Sequence, residues 1–118
     1  MKTENVAMEL MTCVGDARVY SYEALKCANE GKYKKAEELF KMAEKEIEKA
    51  YDVQNKTFKM QIDSEEFLVS AENHLKTVIS ENSIIGEMIK LKKIVNEIEN
   101  ILWSNKWFSK VIKRGILL

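Results

Sequence analysis

The sequence predicts an all-α protein, an antiparallel three-helix bundle running up-down-up, and three observations carry that prediction. The chain has no proline and only four glycines among 118 residues, so little interrupts a helix. Apolar residues recur at steps of three and four along most of its length, the spacing of one helix face rather than of a strand. The main interruptions to that pattern, near residues 30 and 62, divide the chain into three long segments.

The first segment, from about residue 4 to 29, places Val6, Leu10, Val14, Ala17, Ser21, Ala24, Leu25 and Ala28 on one side. Glu30-Gly31 ends it, with Gly31 suited to the left-handed position that closes a helix. Tyr33, Ala36, Leu39, Phe40, Ala43, Ile47, Ala50, Gln54 and Phe58 repeat the spacing in a second helix. So short a turn forces the two to run antiparallel. Gln61-Ile62-Asp63-Ser64 breaks the pattern, and Asp63 or Ser64 caps a third helix with Glu66 in its first turn.

Along that third helix Leu68, Ala71, Leu75, Val78, Asn82, Ile85 and Ile89 step alternately by three and four. This heptad-like seam is expected to pack between subunits, with Asn82 as a polar interruption that sets register. Gly86 lies inside the helix, where close packing is the expected reason for it. From Ile94 the chain becomes strongly apolar through Ile98, Ile101, Leu102, Trp103, Trp107, Phe108, Val111 and Ile112, and after Glu99 its only charges are basic. The expected role is continuation or folding back of the third helix to cover the bundle. Weak membrane contact through residues 101–118 is the competing reading. Residues 1–93 are thus read as the three-helix domain and 94–118 as a C-terminal helical extension.

Nineteen basic and nineteen acidic residues cancel, which removes any bulk attraction to nucleic acid. Cys13 and Cys27 would stand about 21 Å apart on one helix, too far for a disulfide, and read as free thiols. No secretory h-region and no apolar run of roughly twenty residues is present, so a cytoplasmic location is expected. One histidine, His74, excludes multi-histidine metal sites. Isolated Gly15 and Gly31 make no phosphate loop. On the second helix Glu37 with Lys41 exemplifies i,i+4 pairing on a solvated face. Ser70 and His74 share a face of the third helix, within hydrogen-bonding range of one another, but no orienting carboxylate is in view for nucleophilic chemistry.

The run Thr12-Cys13-Val14-Gly15-Asp16-Ala17-Arg18, followed by Glu23-Ala24-Leu25-Lys26, Glu30-Gly31, Ala36-Glu37, Val53-Gln54 and Asn73-His74-Leu75-Lys76-Thr77, resembles the lactose/cellobiose-type IIA components of the bacterial phosphoenolpyruvate-dependent sugar phosphotransferase system. That resemblance implies a homotrimer of three-helix subunits, a nine-helix assembly, and a phosphoryl relay from the carrier protein HPr to the IIB component in sugar uptake. It also implies transporter partners of the IIB and IIC kind.

The family's third-helix motif reads His-Ala/Gly-Gln-Asp-His-Leu-Met-Thr, and its first histidine is the phosphoacceptor. Here Ser70 stands at that histidine, Glu72 at the glutamine and Asn73 at the aspartate, while His74 keeps the second histidine. Phosphoryl bound to an imidazole nitrogen transfers readily; a serine phosphate is a stable ester. The resemblance therefore implies a homologue that is not phosphorylated at Ser70, with His74, about 6 Å of helix rise away, as an ectopic acceptor or partner contact.

In the family three copies of the aspartate meet on the trimer axis around a metal ion, so neutral Asn73 implies a metal-free trimer. No cofactor is called for. Gln54 and Glu72 fall at partner-binding positions. The segment between Gln54 and Ser70 is shorter than in the family, and Tyr51 replaces a common histidine. Asp16 and Arg18 are read as pairing with other helices or lying at the surface. The alternative function is a helical peptide-binding or peripheral membrane interaction module, since Gly31, Tyr33, Ala36, Phe40 and Ala43 also resemble one tetratricopeptide or microtubule-interacting unit.

Overall fold

The computed structural model describes residues 3–59, 66–104 and 110, and among them every element is helical. Helix α1 spans Thr3–Asn29, α2 Tyr33–Lys59 and α3 Glu66–Ser104. They form the up-down-up bundle that the periodicity predicts. Asp63 and Ser64, the expected caps of α3, lie outside the described residues.

The turn from α1 to α2 is built by Gly31, whose φ of 79° is open to glycine and strained for other residues. Around it Lys32 N–H donates to Cys27 O at 2.8 Å and Gly31 N–H to Ala28 O at 3.0 Å. These two bonds satisfy carbonyls that the end of α1 would otherwise leave unpaired. The chain then reverses at once. Ala36, Ala43 and Ala50, one heptad apart on α2, are fully buried, and their small side chains let α2 lie close against α1.

The core has two parts. Near the open end, Val6, Leu10, Cys13, Val14 and Ala17 meet Ala50 and Val53 of α2 and Leu68, Ala71, Leu75 and Val78 of α3. Near the turn, Ala24, Cys27 and Ala28 meet Ala36, Ile85 and Ile89. Burying a side chain such as Leu10 or Leu75 contributes about 1.5–3 kcal/mol. Between the two parts lie the buried polar residues Ser21 and Asn82. Both cysteines are free and buried, as their separation predicts.

The seam of α3 is therefore used inside the subunit. Leu68, Ala71, Leu75, Val78, Ile85 and Ile89 all face α1 and α2, which corrects the expectation that this seam packs between subunits. The reason is physical: α1 and α2 each present a matching apolar face, and a chain buries its nearest apolar surface first. Asn82 instead donates to Ser21 of α1 within the same chain, at 2.9 Å.

Beyond Ile89, α3 continues as one helix to Ser104 and does not fold back. Ile94, Val95, Ile98, Ile101, Leu102 and Trp103 are exposed on it, so over the described residues the extension continues the helix but does not cover the bundle. Trp107, Phe108, Val111 and Ile112 lie outside the described residues. Lys93 of α3 donates across to Glu37 at 3.2 Å, a partner other than the Lys41 that i,i+4 spacing predicts. Gly86 has the close neighbour expected of it: a Cβ there would stand 2.8 Å from Phe40 Cζ.

Candidate partner-facing site

Rotation of α3 about its axis is set by Leu68, Ala71, Leu75 and Val78 in the core, and this places Ser70, Asn73, His74 and Thr77 on the outward side. Ser70, Asn73 and His74 are exposed; Glu72 and Gln54 are half-buried. Gln54 follows Val53, which packs in the same cluster as Leu68 and Ala71. The last turns of α2 and the first turns of α3 thus bring all five predicted site residues to one end of the bundle.

The chemistry there is that of a hydrated surface. Ser70 Oγ and the His74 imidazole make no hydrogen bond to each other or to any other of the described residues, so the expected serine–histidine bond is absent. Thr77 Oγ1 donates to the backbone oxygen of Asn73 at 3.2 Å, inside the helix. Among the described residues no group of three histidine, cysteine, aspartate or glutamate side chains is placed to hold a metal ion. Hydroxyl, carboxamide and imidazole stand in turn on an exposed helix face.

Two residues of the Gly-Asp-Ala-Arg run, Ala17 and Arg18, serve the fold. Ala17 is fully buried, Asp16 is exposed, and Arg18 reaches α3, its Nε 3.4 Å from Glu81 Oε1. The Arg18 guanidinium also lies 5.7 Å from the centre of the Tyr22 ring, and Tyr22 O–H donates to the other Glu81 oxygen. This cluster was not legible in the sequence, because Glu81 lies 63 positions after Arg18 and no local spacing links them. A second feature lies between α2 and α3, where a groove of about 610 Å³ is floored by Phe40, Ile47, Ile79 and Ile89 and edged by charged side chains.

The fold is thus a slender three-helix bundle with a polar exposed face on its third helix. Residues 5–93 match the family described as the lactose/cellobiose-specific IIA subunit of the phosphotransferase system, and the chain belongs to that family. It is 28% identical over 98 residues to the oligo-beta-mannoside-specific EIIA component of Bacillus subtilis, covering 79% of this chain and 89% of that one.

Solved structures agree with the match. The cellobiose-specific enzyme IIA of Bacillus anthracis superposes with a TM-score of 0.76 at 27% identity, over 82% of this chain and 94% of that one. The chitobiose IIA of Escherichia coli, solved in complex with HPr, gives 0.72 at 28% identity over 81% and 98%. PtcA from S. mutans gives 0.72 at 30% identity over 79% and 99%. The chain is thus a IIA-type component of the sugar phosphotransferase class. Among the described residues no helix is long and apolar enough to cross a membrane.

Proposed function

We propose that this chain is a IIA homologue that associates as a homotrimer and docks on phosphotransferase-system partners without carrying a phosphoryl group. The observation that carries the reading is at Ser70. This exposed side chain occupies the position of the family's phosphoacceptor histidine, and the chain's single histidine, His74, stands one turn further along α3. A relay must accept and release phosphoryl at nearly equal free energy, which an imidazole allows and an alkyl phosphate ester does not.

The exposed face of α3 and the solved complex of a relative with HPr support retention of HPr docking here. Occupying HPr or the IIB and IIC transporter components without relaying phosphoryl would make the chain a regulatory or structural subunit of sugar uptake. Gln54 and Glu72 flank the docking face, and Asn73 lies on the trimer axis without a metal ion.

Incubation with phosphoenolpyruvate, enzyme I and HPr tests this directly. The wild-type chain is expected to acquire no acid-labile phosphate, whereas Ser70→His acquires it. Label on the wild-type chain that disappears in His74→Ala would overturn the reading and make His74 the acceptor. Titration with HPr, followed by NMR, should shift resonances around Ser70 and His74.

A further inference from the structure

Past the bundle the chain changes character. Tyr33 O–H donates to the backbone oxygen of Lys92 at 3.2 Å, which puts the α1–α2 turn beside Lys92. From there α3 runs on to Ser104, a further rise of about 18 Å, and every residue from Glu97 to Ser104 is exposed. Ile94, Ile98, Ile101 and Leu102 share one face at helical spacing. Ile101 is 68% exposed and Trp103 58%. All of these residues lie beyond the stretch 5–93 matched by the family.

Charge changes over the same stretch. After Glu99 the charged residues are Lys106, Lys110, Lys113 and Arg114, all basic, while residues 1–99 hold all nineteen acids and the other fifteen bases. The zero net charge of the chain thus divides into an acidic body and a cationic end. Lys110 is exposed; the other three cations lie outside the described residues.

We propose that residues 94–118 form an amphipathic segment that rests in the interfacial layer of an anionic lipid bilayer and holds the chain at a membrane surface without crossing it.

The apolar spacing supports this. In sequence it carries on past Ser104, since Phe108 and Ile112 follow Ile94 by fourteen and eighteen residues and return to the same helical phase. Lys106, Lys110 and Lys113 fall about 100–160° round the helix from that phase. An apolar face with aromatic residues, opposed by lysines, is the pattern of a helix lying in the headgroup layer. Both tryptophans of the chain, Trp103 and Trp107, belong to the segment, and indole rings concentrate at that depth.

Charge selects lipid over the competing partners. No acid stands among the four cations, so their counter-charge has to come from outside the segment, and an anionic headgroup layer supplies it. The groove between α2 and α3 offers no such complement, because Glu37, Glu44 and Glu87 on its edges are matched by Lys41, Lys90 and Lys93. A nucleic acid would meet the charge but leave the isoleucine face in water. Residence at a bilayer would raise the concentration of the chain beside a membrane transporter. That consequence rests on the partner reading above, whereas the lipid contact does not.

Because both tryptophans lie in this segment, intrinsic fluorescence reports on it alone. The full chain is titrated with vesicles of mixed phosphatidylcholine and phosphatidylglycerol. Emission is expected to shift to the blue and to be quenched by brominated acyl chains, with at least about tenfold weaker binding to phosphatidylcholine alone. The variant Lys106→Gln/Lys110→Gln/Lys113→Gln should bind the mixed vesicles about 100-fold more weakly, at roughly fivefold per cation, with its circular dichroism unchanged. Ile101→Ser/Phe108→Ser should lose the quenching.

Emission that neither vesicle alters overturns the proposal, and if it is already blue without lipid, protein covers the segment instead. Binding without quenching by the brominated chains overturns it too, since the contact is then with charge alone. A shift produced by single-stranded RNA and by no vesicle overturns it in favour of a nucleic acid. None of these outcomes bears on whether the chain accepts phosphoryl or docks on HPr, so the two readings fail separately.

Discussion

Asn82 Nδ2 donates a 2.9 Å hydrogen bond to Ser21 Oγ across the contact of α1 with α3, and this one polar pair lies between two apolar halves of the core. Ser21 is 1% exposed and Asn82 9%, so each supplies the other with a partner in a largely buried place. Sliding α3 by one turn would leave both unpaired and bring Asn82 against apolar neighbours, so the pair holds the register of the bundle. Ser21→Ala should cost about 1–3 kcal/mol by leaving the amide short of a partner. Ser21→Ala with Asn82→Leu should recover most of that loss, and a urea-denaturation double-mutant cycle measures the difference.

Phe40 and Gly86 form a second coupled pair. An alanine at position 86 normally stabilises a helix interior by about 1 kcal/mol relative to glycine. Here the added Cβ would meet Phe40 Cζ at 2.8 Å, and the ring has to swing toward the groove between α2 and α3. Gly86→Ala should therefore leave stability within about 1 kcal/mol of wild type, while in a Phe40→Ala background the same change should stabilise by about 1 kcal/mol. Thermal unfolding of the four proteins decides it.

The Cys13 thiol is pushed up from its ordinary value, first by burial and then by the nearby carboxylates of Glu46, Glu9 and Asp16, with Lys49 opposing. Little thiolate forms near neutral pH, so iodoacetamide at pH 8 should label Cys13 at least about tenfold more slowly in the native protein than in urea. A thiol whose value is raised on folding favours the native state fully below the ordinary value of 9.0 and loses that contribution as pH rises through the raised value. Stability should accordingly fall above pH 9.0, and less steeply in Cys13→Ala. Mass spectrometry and denaturation at several pH values give the two readouts.

Asn73 is predicted to decide metal content. Three neutral carboxamides brought together on a trimer axis can hydrogen-bond to one another, while three carboxylates repel unless a cation joins them. Elemental analysis of the purified wild-type chain should find no stoichiometric divalent metal. Asn73→Asp should bind about one ion per three chains, and its association should then weaken on adding a chelator.

Much of this protein was determined by the sequence alone. Helix type and number followed from the spacing of residues such as Leu10, Ala43 and Leu75, and the tight reversal from Gly31, because both are local consequences of backbone geometry. The family was legible from short ordered runs such as Gly15-Asp16-Ala17-Arg18 and Asn73-His74-Leu75-Lys76-Thr77, since each lies within a few residues of chain. What only the tertiary structure decided was the assignment of faces. The seam through Leu68 and Ile89 has the period of an intersubunit contact, yet α1 and α2 bury it, and the exposed stripe proves to be the one through Ile84 and Leu102. Both satisfy the same periodicity on one long helix. Which is buried depends on where two other helices, dozens of residues away in sequence, come to rest, and so do the partners found by Glu81 and Asn82.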